Sequence, residues 1–218
     1  MRSKKDTSLC YLRLFNAFTS SLAFDLYLDD QLIYSYFLYE DFTRYYPISS
    51  GMHILKITPH HKKEDILYEK KINLQRFQIY TGVLACKYKA PDSYHIFCLE
   101  EPQKLLEPPK LAIRLNHFAR FDGSTSLSLL EEPLPIRNIR YGQASSYVVK
   151  EPAPYCFTIK ETNEDTELTT LSSKKFKPGR LYSIYFVGDG SKAFPYKPVL
   201  SIDGFSYLTI EKMQKRTT

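Results

Sequence analysis

Five histidines, His53, His60, His61, His95 and His117, are the side chains best suited to acid–base or metal chemistry in this sequence. The adjacent pair His60-His61 is the natural first candidate for a metal. Neighbouring residues of an extended chain point to opposite faces, however, and no carboxylate or cysteine stands beside the pair at metal-ligand spacing. The expectation is therefore a solvated loop, no metal site and no cofactor. A Ser, His and Asp triad has no G-x-S-x-G elbow to support it. The paired acids Asp29-Asp30, Glu100-Glu101 and Glu131-Glu132 fall in turns or in a linker, whereas general acid catalysis needs a partly buried carboxyl. Gly188-Asp189-Gly190 followed by Ser191-Lys192 lacks the lysine spacing and the following helix of a phosphate loop, so it reads as a tight turn. No catalytic residue is expected.

Tyrosine carries the residual chemistry. There are 18 Tyr and 14 Phe but no Trp. Tyr34, Tyr36, Tyr39, Tyr45 and Tyr46 crowd one short span, and not all of them can face inward on alternating strands. Exposed tyrosines stack on sugars, dock on protein partners or cross-link a shell. The alternative is that they cover a sheet face and pack against the neighbouring domain.

The net charge is +6, with 13 basic and 12 acidic residues in 1–103 against 17 and 12 in 104–218. The excess gathers at Lys174, Lys175, Lys177 and Arg180 and in the tail at Lys212, Lys215 and Arg216. Such a patch attracts acidic polymers or anionic surfaces. No nucleic-acid motif accompanies it, so it reads as a solvated basic edge without a nucleic-acid partner. The four cysteines, Cys10, Cys86, Cys98 and Cys156, show no C-x-x-C spacing. Cys10, Cys86 and Cys156 sit in apolar strand patterns as reduced thiols, with a Cys86–Cys98 bridge left open. Met1 to Asp6 is basic, but no apolar run follows, so no signal peptide is expected. Nor is any apolar stretch long enough for a membrane helix. Synthesis in the cytosol is expected, with residence there or on a spore or envelope surface.

These residues must be positioned by strands. Hydrophobic residues make up 43% and charged residues 25%, an ordinary globular balance, and the aromatic excess favours pleated structure. The first strand, 9–15, sets Cys10, Leu12 and Leu14 against Tyr11, Arg13 and Phe15. The second puts Leu22, Phe24, Leu26 and Leu28 inward and Ala23, Asp25, Tyr27 and Asp29 outward, closing on the turn Asp29-Asp30. Strands follow at 32–39, 44–48, 52–58, 66–74, 77–87 and 94–99, with turn signals between them, the pattern of a β-sandwich. A proline-bearing linker at 100–110 is stiff and extended.

The second half repeats the programme. Asn16 and Phe18 align with Asn116 and Phe118; Phe24, Leu26 and Leu28 with Leu127, Leu129 and Leu130. The interval Tyr39 to Tyr45 is matched by Tyr141 to Tyr147, Met52 to Thr58 by Tyr155 to Lys160, and Phe77 to Tyr80 by Tyr182 to Tyr185. Duplication into two domains, 1–103 and 104–218, is expected.

The ordered features Leu12 to Phe18, Phe24 to Asp30, Tyr39 to Tyr45, Gly51 to Ile57 and Phe77 to Val83 resemble the bacterial domain of unknown function 4397. Ile113 to Phe118, Leu127 to Glu132, Tyr141 to Tyr147 and Tyr182 to Gly188 supply a second copy. This sequence departs from the family pattern in lacking Gly at the turn after strand two. The strand pattern and the repeat read as an all-β protein of two tandem immunoglobulin-like or prealbumin-like sandwiches, and the resemblance implies a bacterial protein linked to the envelope. The expected role is a non-catalytic structural or protein-binding module of an envelope or spore surface layer. Its partners would be other layer proteins or further copies of itself. Cell-wall glycan binding is the alternative, and a cytoplasmic hydrolase the third reading.

Overall fold

The computed structural model describes residues 9–129 and 132–208, with the side chains of 132 and 133 outside that description. Met1 to Asp6, Leu130, Glu131, Lys212, Lys215 and Arg216 lie outside the described residues. No described helix is long and apolar enough to cross a membrane. Contacts divide the chain into two compact units, one running to Pro102 and taking in Tyr207, the other spanning Gln103–Ser206.

The first unit contains β1 (Leu9–Asn16), β2 (Phe24–Leu28), β3 (Gln31–Phe37), β4 (Tyr46–Ser49), β5 (Gly51–Pro59), β6 (Tyr68–Leu74), β7 (Ile79–Lys87) and β8 (Ala90–Glu100). They form two four-stranded sheets, β4-β1-β7-β8 and β3-β2-β5-β6. β1 and β7 run parallel, Arg13 opposite Thr81; the other pairs are antiparallel. Phe24, Leu26, Leu55, Ile57 and Ile79 are buried in this core.

The second unit contains β9 (Leu111–His117), β10 (Thr125–Leu129), β11 (Glu132–Ile139), β12 (Val148–Lys150), β13 (Pro154–Glu161), β14 (Glu167–Lys175), β15 (Leu181–Val187) and β16 (Lys197–Ile202). Its sheets are β12-β9-β15-β16 and β11-β10-β13-β14, with β9 parallel to β15. Each strand stands where its counterpart eight earlier stands in the first unit. The chain is thus all-β, two sandwiches of one prealbumin-like topology, since β1 and β2 stand in different sheets whereas the immunoglobulin order pairs its first two strands. Ile113, Leu115, Leu127, Phe157, Ile159 and Ile184 centre the second core.

Register corrects the repeat alignment. Arg13 faces Thr81 and Arg114 faces Ser183 across the parallel pairs, so Asn16 corresponds to His117 and Phe15 to Asn116. The sequence match of Asn16 with Asn116 is one residue out, which on a strand exchanges the two faces. Likewise Tyr80, whose hydroxyl accepts from the Gln75 amide, corresponds to Tyr182, which accepts from the Lys177 amide. Leu22, expected inward, lies before β2 and is exposed, whereas Asp25, expected outward, is buried.

The Asp29-Asp30 turn needs no glycine. Both residues adopt positive φ, +49° and +65°, matching a primed two-residue hairpin that aspartate tolerates. Asp29 then accepts from His53 Nδ1 at 2.6 Å and the Ile54 amide at 2.9 Å. Burial opposes the charge on Asp29, but these partners outweigh it and hold its pKa below the ordinary value. All four cysteines are free thiols; Cys10 and Cys86 are buried, and Cys156 is half-buried.

Candidate functional site

A β-bulge builds the site. Phe24 pairs with Phe37 and Leu26 with Tyr34, leaving Ser35 and Tyr36 together opposite Asp25. The extra residue bends the edge strand and interrupts its ladder. Asp25 fills the gap with its side chain: Oδ1 accepts from Ser35 Oγ at 2.7 Å and from the Tyr36 amide at 3.1 Å. Tyr36 sits at φ +61°, a costly conformation for a bulky residue.

The turn after β5 closes over the same carboxylate. The His60 amide donates to Ala23 O at 3.0 Å, His60 Nδ1 lies 2.8 Å from Asp25 Oδ1, and the His61 amide donates to Oδ2 at 3.0 Å. Burial alone would raise the Asp25 pKa. The hydrogen bonds from His60, Ser35 and the two amides win, holding it at about 2.

The expectation that His60 and His61 diverge does not hold. The pair lies in a turn, in keeping with the expected loop, but with His61 at φ +61° the rings come together, their centroids 3.6 Å apart. Nor is a carboxylate missing, because Asp25 arrives from another strand. One possible ligand atom from each of Asp25, His60 and His61 lies within 4.8 Å of the others. Tyr36 meets the His60 ring edge-on at 5.0 Å.

The second sandwich keeps the bulge and the first turn bond of this site, carries the positive φ of its turn at Asp165 instead of the His61 position, and changes the chemistry. Arg137 and Asn138 oppose Ser126 in the matching bulge, Asn138 has φ +59°, and the Thr162 amide donates to Ser124 O at 2.9 Å. Ser126 therefore replaces Asp25, Thr162 replaces His60 and Asn163 replaces His61. The result is a polar pocket of about 260 Å³ that includes Arg137, Lys160 and Asp165.

Of the five tyrosines, Tyr36 is exposed and the other four are half-buried; Tyr34 and Tyr36 lie on β3 and Tyr46 on β4, in different sheets. Tyr34 packs edge-on against Phe37. Tyr46 donates to Ile33 O at 2.7 Å, and Tyr45 donates to Glu101 Oε1 at 2.5 Å. Lys174, Lys175 and Lys177 are exposed at and just beyond the end of edge strand β14, but Arg180 is half-buried and donates to Ser206 O at 2.6 Å. Gly188 and Gly190, with φ +104° and +78°, make the turn expected there.

Glu101, read as an exposed linker acid, is buried. It lies 3.2 Å from Arg13 Nη2 and accepts from Thr81 Oγ1 at 2.5 Å. Asp203 holds the matching place in the second sandwich, 3.1 Å from Arg114 Nη2 and 2.7 Å from Ser183 Oγ, with Tyr147 donating to it. Sequence reasoning missed both knots, although Arg13 and Arg114 in otherwise apolar strands were their signal. His117 is fully buried among the rings of Phe121, Tyr141 and Phe186. That burial pulls its pKa down to about 4, which the nearby Gly123 backbone only partly offsets.

Among solved structures, the chain is similar to a candidate cell-adhesion protein from Bacteroides uniformis, with 10% identity, TM-score 0.29, and 89% of this chain and 97% of that one covered. It is also similar to a streptococcal virulence factor that binds alpha-glucan, with 12% identity, TM-score 0.27, and 92% and 99% covered. A candidate adhesin from Bacteroides ovatus follows at 8% identity and TM-score 0.26, with 89% and 92% covered. Likeness at this level transfers no function. No curated protein matches the chain. Residues 10–124, spanning the first sandwich and entering the second, match the family model described as a domain of unknown function, DUF4397, and the chain belongs to that family.

Proposed function

We propose that this chain is a non-catalytic binding module that engages other proteins of a bacterial surface layer. The observation that carries this reading is edge strand β3, on which Leu32 and Tyr36 expose 53% and 56% of their surface. An edge strand offers backbone groups to an incoming strand, and the bulge turns Tyr36 outward beside it. Aromatic side chains of this kind anchor protein interfaces. The buried ionisable groups add support, since Glu101 and Asp203 are held by arginines and His117 is walled in by rings. Placement in an envelope or spore layer rests on the family resemblance and on the Tyr- and Lys-rich composition.

The test separates native host cells, growing and sporulating, into cytosol, envelope and spore, and cross-links the chain to its neighbours in each fraction. Recovery in an insoluble layer, with cross-linked partners lost in Leu32→Asp and Tyr36→Ala, is expected. Recovery wholly in soluble cytosol removes the surface role. A second reading, binding to cell-wall glycan, is favoured by the same exposed ring, which is a stacking platform for a sugar. It requires saturable retention on wall preparations that falls in Tyr36→Ala, and unretained native protein ends it.

A further inference from the structure

We propose that Asp25, His60 and His61 form a binding site for a divalent transition-metal ion of the zinc class on the first sandwich. The proposal stands apart from the surface-binding role and does not depend on it.

The geometry provides the donors that such an ion prefers. Two imidazoles and one carboxylate suit zinc and its late first-row neighbours, whereas calcium and magnesium select all-oxygen cages. Their candidate ligand atoms already lie within 4.8 Å of one another, so modest side-chain rotation closes a tetrahedral set with solvent in the fourth position. His60 Nδ1 lies 2.8 Å from Asp25 Oδ1, so an ion that displaces the ring proton there is shared by the imidazole and the carboxylate. Asp25 Oδ1 is fully engaged by Ser35, Tyr36 and His60. Oδ2 carries the His61 amide, leaving that oxygen a lone pair for direct ligation.

The second sandwich supplies an internal control. Its turn keeps the same amide-to-carbonyl bond, Thr162 to Ser124 against His60 to Ala23, and its bulge keeps the same positive φ at Asn138. Neither feature of the fold therefore requires Asp25, His60 or His61. The second turn bends differently, with positive φ at Asp165 rather than at Asn163. A serine and a threonine nevertheless satisfy the same bulge and the same turn bond, so the carboxylate of Asp25 and the imidazole of His60 are additional to what those two features need. The exposed His61 and half-buried His60 leave the site open to solvent, giving an ion a route in.

The experiment titrates the full chain, kept reduced, with zinc sulfate against a chromophoric chelator, and follows histidine ring resonances by NMR. One zinc per chain is expected, with shifts confined to the His60 and His61 rings. His60→Ala and His61→Ala should each abolish that binding. Asp25→Asn should weaken it by more than the roughly 10-fold that losing an outer-shell partner costs, and His95→Ala should leave it unchanged. Circular dichroism of each variant establishes that it is folded. A variant that unfolds is replaced by His60→Gln or His61→Gln, which keep polarity and bulk without a ligating imidazole. Absence of saturable binding overturns the proposal, as does binding that survives both histidine replacements and is lost only when thiols are blocked.

Discussion

Arg13 Nη2 lies 3.2 Å from Glu101 Oε1 inside the first sandwich, with both side chains withdrawn from solvent. Arg13 Nε also donates to Thr81 Oγ1 at 2.8 Å, and its guanidinium lies 4.7 Å from the Tyr45 ring centroid. Every charge is paired, which is the condition for tolerating ions in a dry interior. Breaking one partner leaves the other buried alone. Glu101→Ala should destabilise the first sandwich by about 3–5 kcal/mol, and Asp203→Ala the second by a similar amount. Lys56→Ala, which removes the more exposed pair with Asp30 at 2.7 Å, should cost far less than either. Urea unfolding of the three variants checks the ranking.

His117 predicts acid sensitivity. The unfolded histidine takes up a proton below its ordinary value of 6.5, whereas the buried ring stays neutral until about 4. The unfolded state therefore binds more protons in that interval, and stability falls as pH drops from 6.5 towards 4. The loss is on the order of 3 kcal/mol when complete. Unfolding of the second sandwich followed from pH 7 to 4 should show this fall, and His117→Gln should remove it.

Tyr36 and Asn138 occupy the same bulge at φ +61° and +59°, but only asparagine is comfortable there. Tyr36→Asn should stabilise the first sandwich by up to about 1 kcal/mol. Under the proposed function it should also lose partner cross-linking. Thermal melts and the cross-linking assay read the two effects separately.

Gly188 has φ +104°, and a Cβ there would collide with the Pro195 carbonyl oxygen. That contact is with backbone, which cannot swing aside. Gly188→Ala should therefore cost at least about 2 kcal/mol, measured by denaturant unfolding. Gly179→Ala, which has positive φ but nothing within 4 Å, should cost less.

The sandwich class, the strand sequence and the duplication were legible because alternation and turn residues are local signals. β1 was placed within one residue of its observed end, and the matched tyrosine intervals led to Tyr45 and Tyr147, which hold equivalent carboxylates. Register was less legible: both faces of β9, β7 and most of β1 are buried, so burial gives no alternation to align the repeats, and the one-residue slip is marked only by the arginines Arg13 and Arg114. The candidate metal cluster was hidden for another reason. Its donors come from β2 and from the turn after β5, and the adjacent histidines converge only because His61 has positive φ.

By itself, then, the sequence determined the all-β class, the doubled strand programme and where the turns fall, since each depends on the periodicity and backbone preferences of neighbouring residues. Tertiary structure decided which charges are buried, which tyrosine is exposed and which residues meet at Asp25. Those outcomes depend on strand register and on a bulge, which bring together groups far apart in the chain, and no local pattern encodes such encounters.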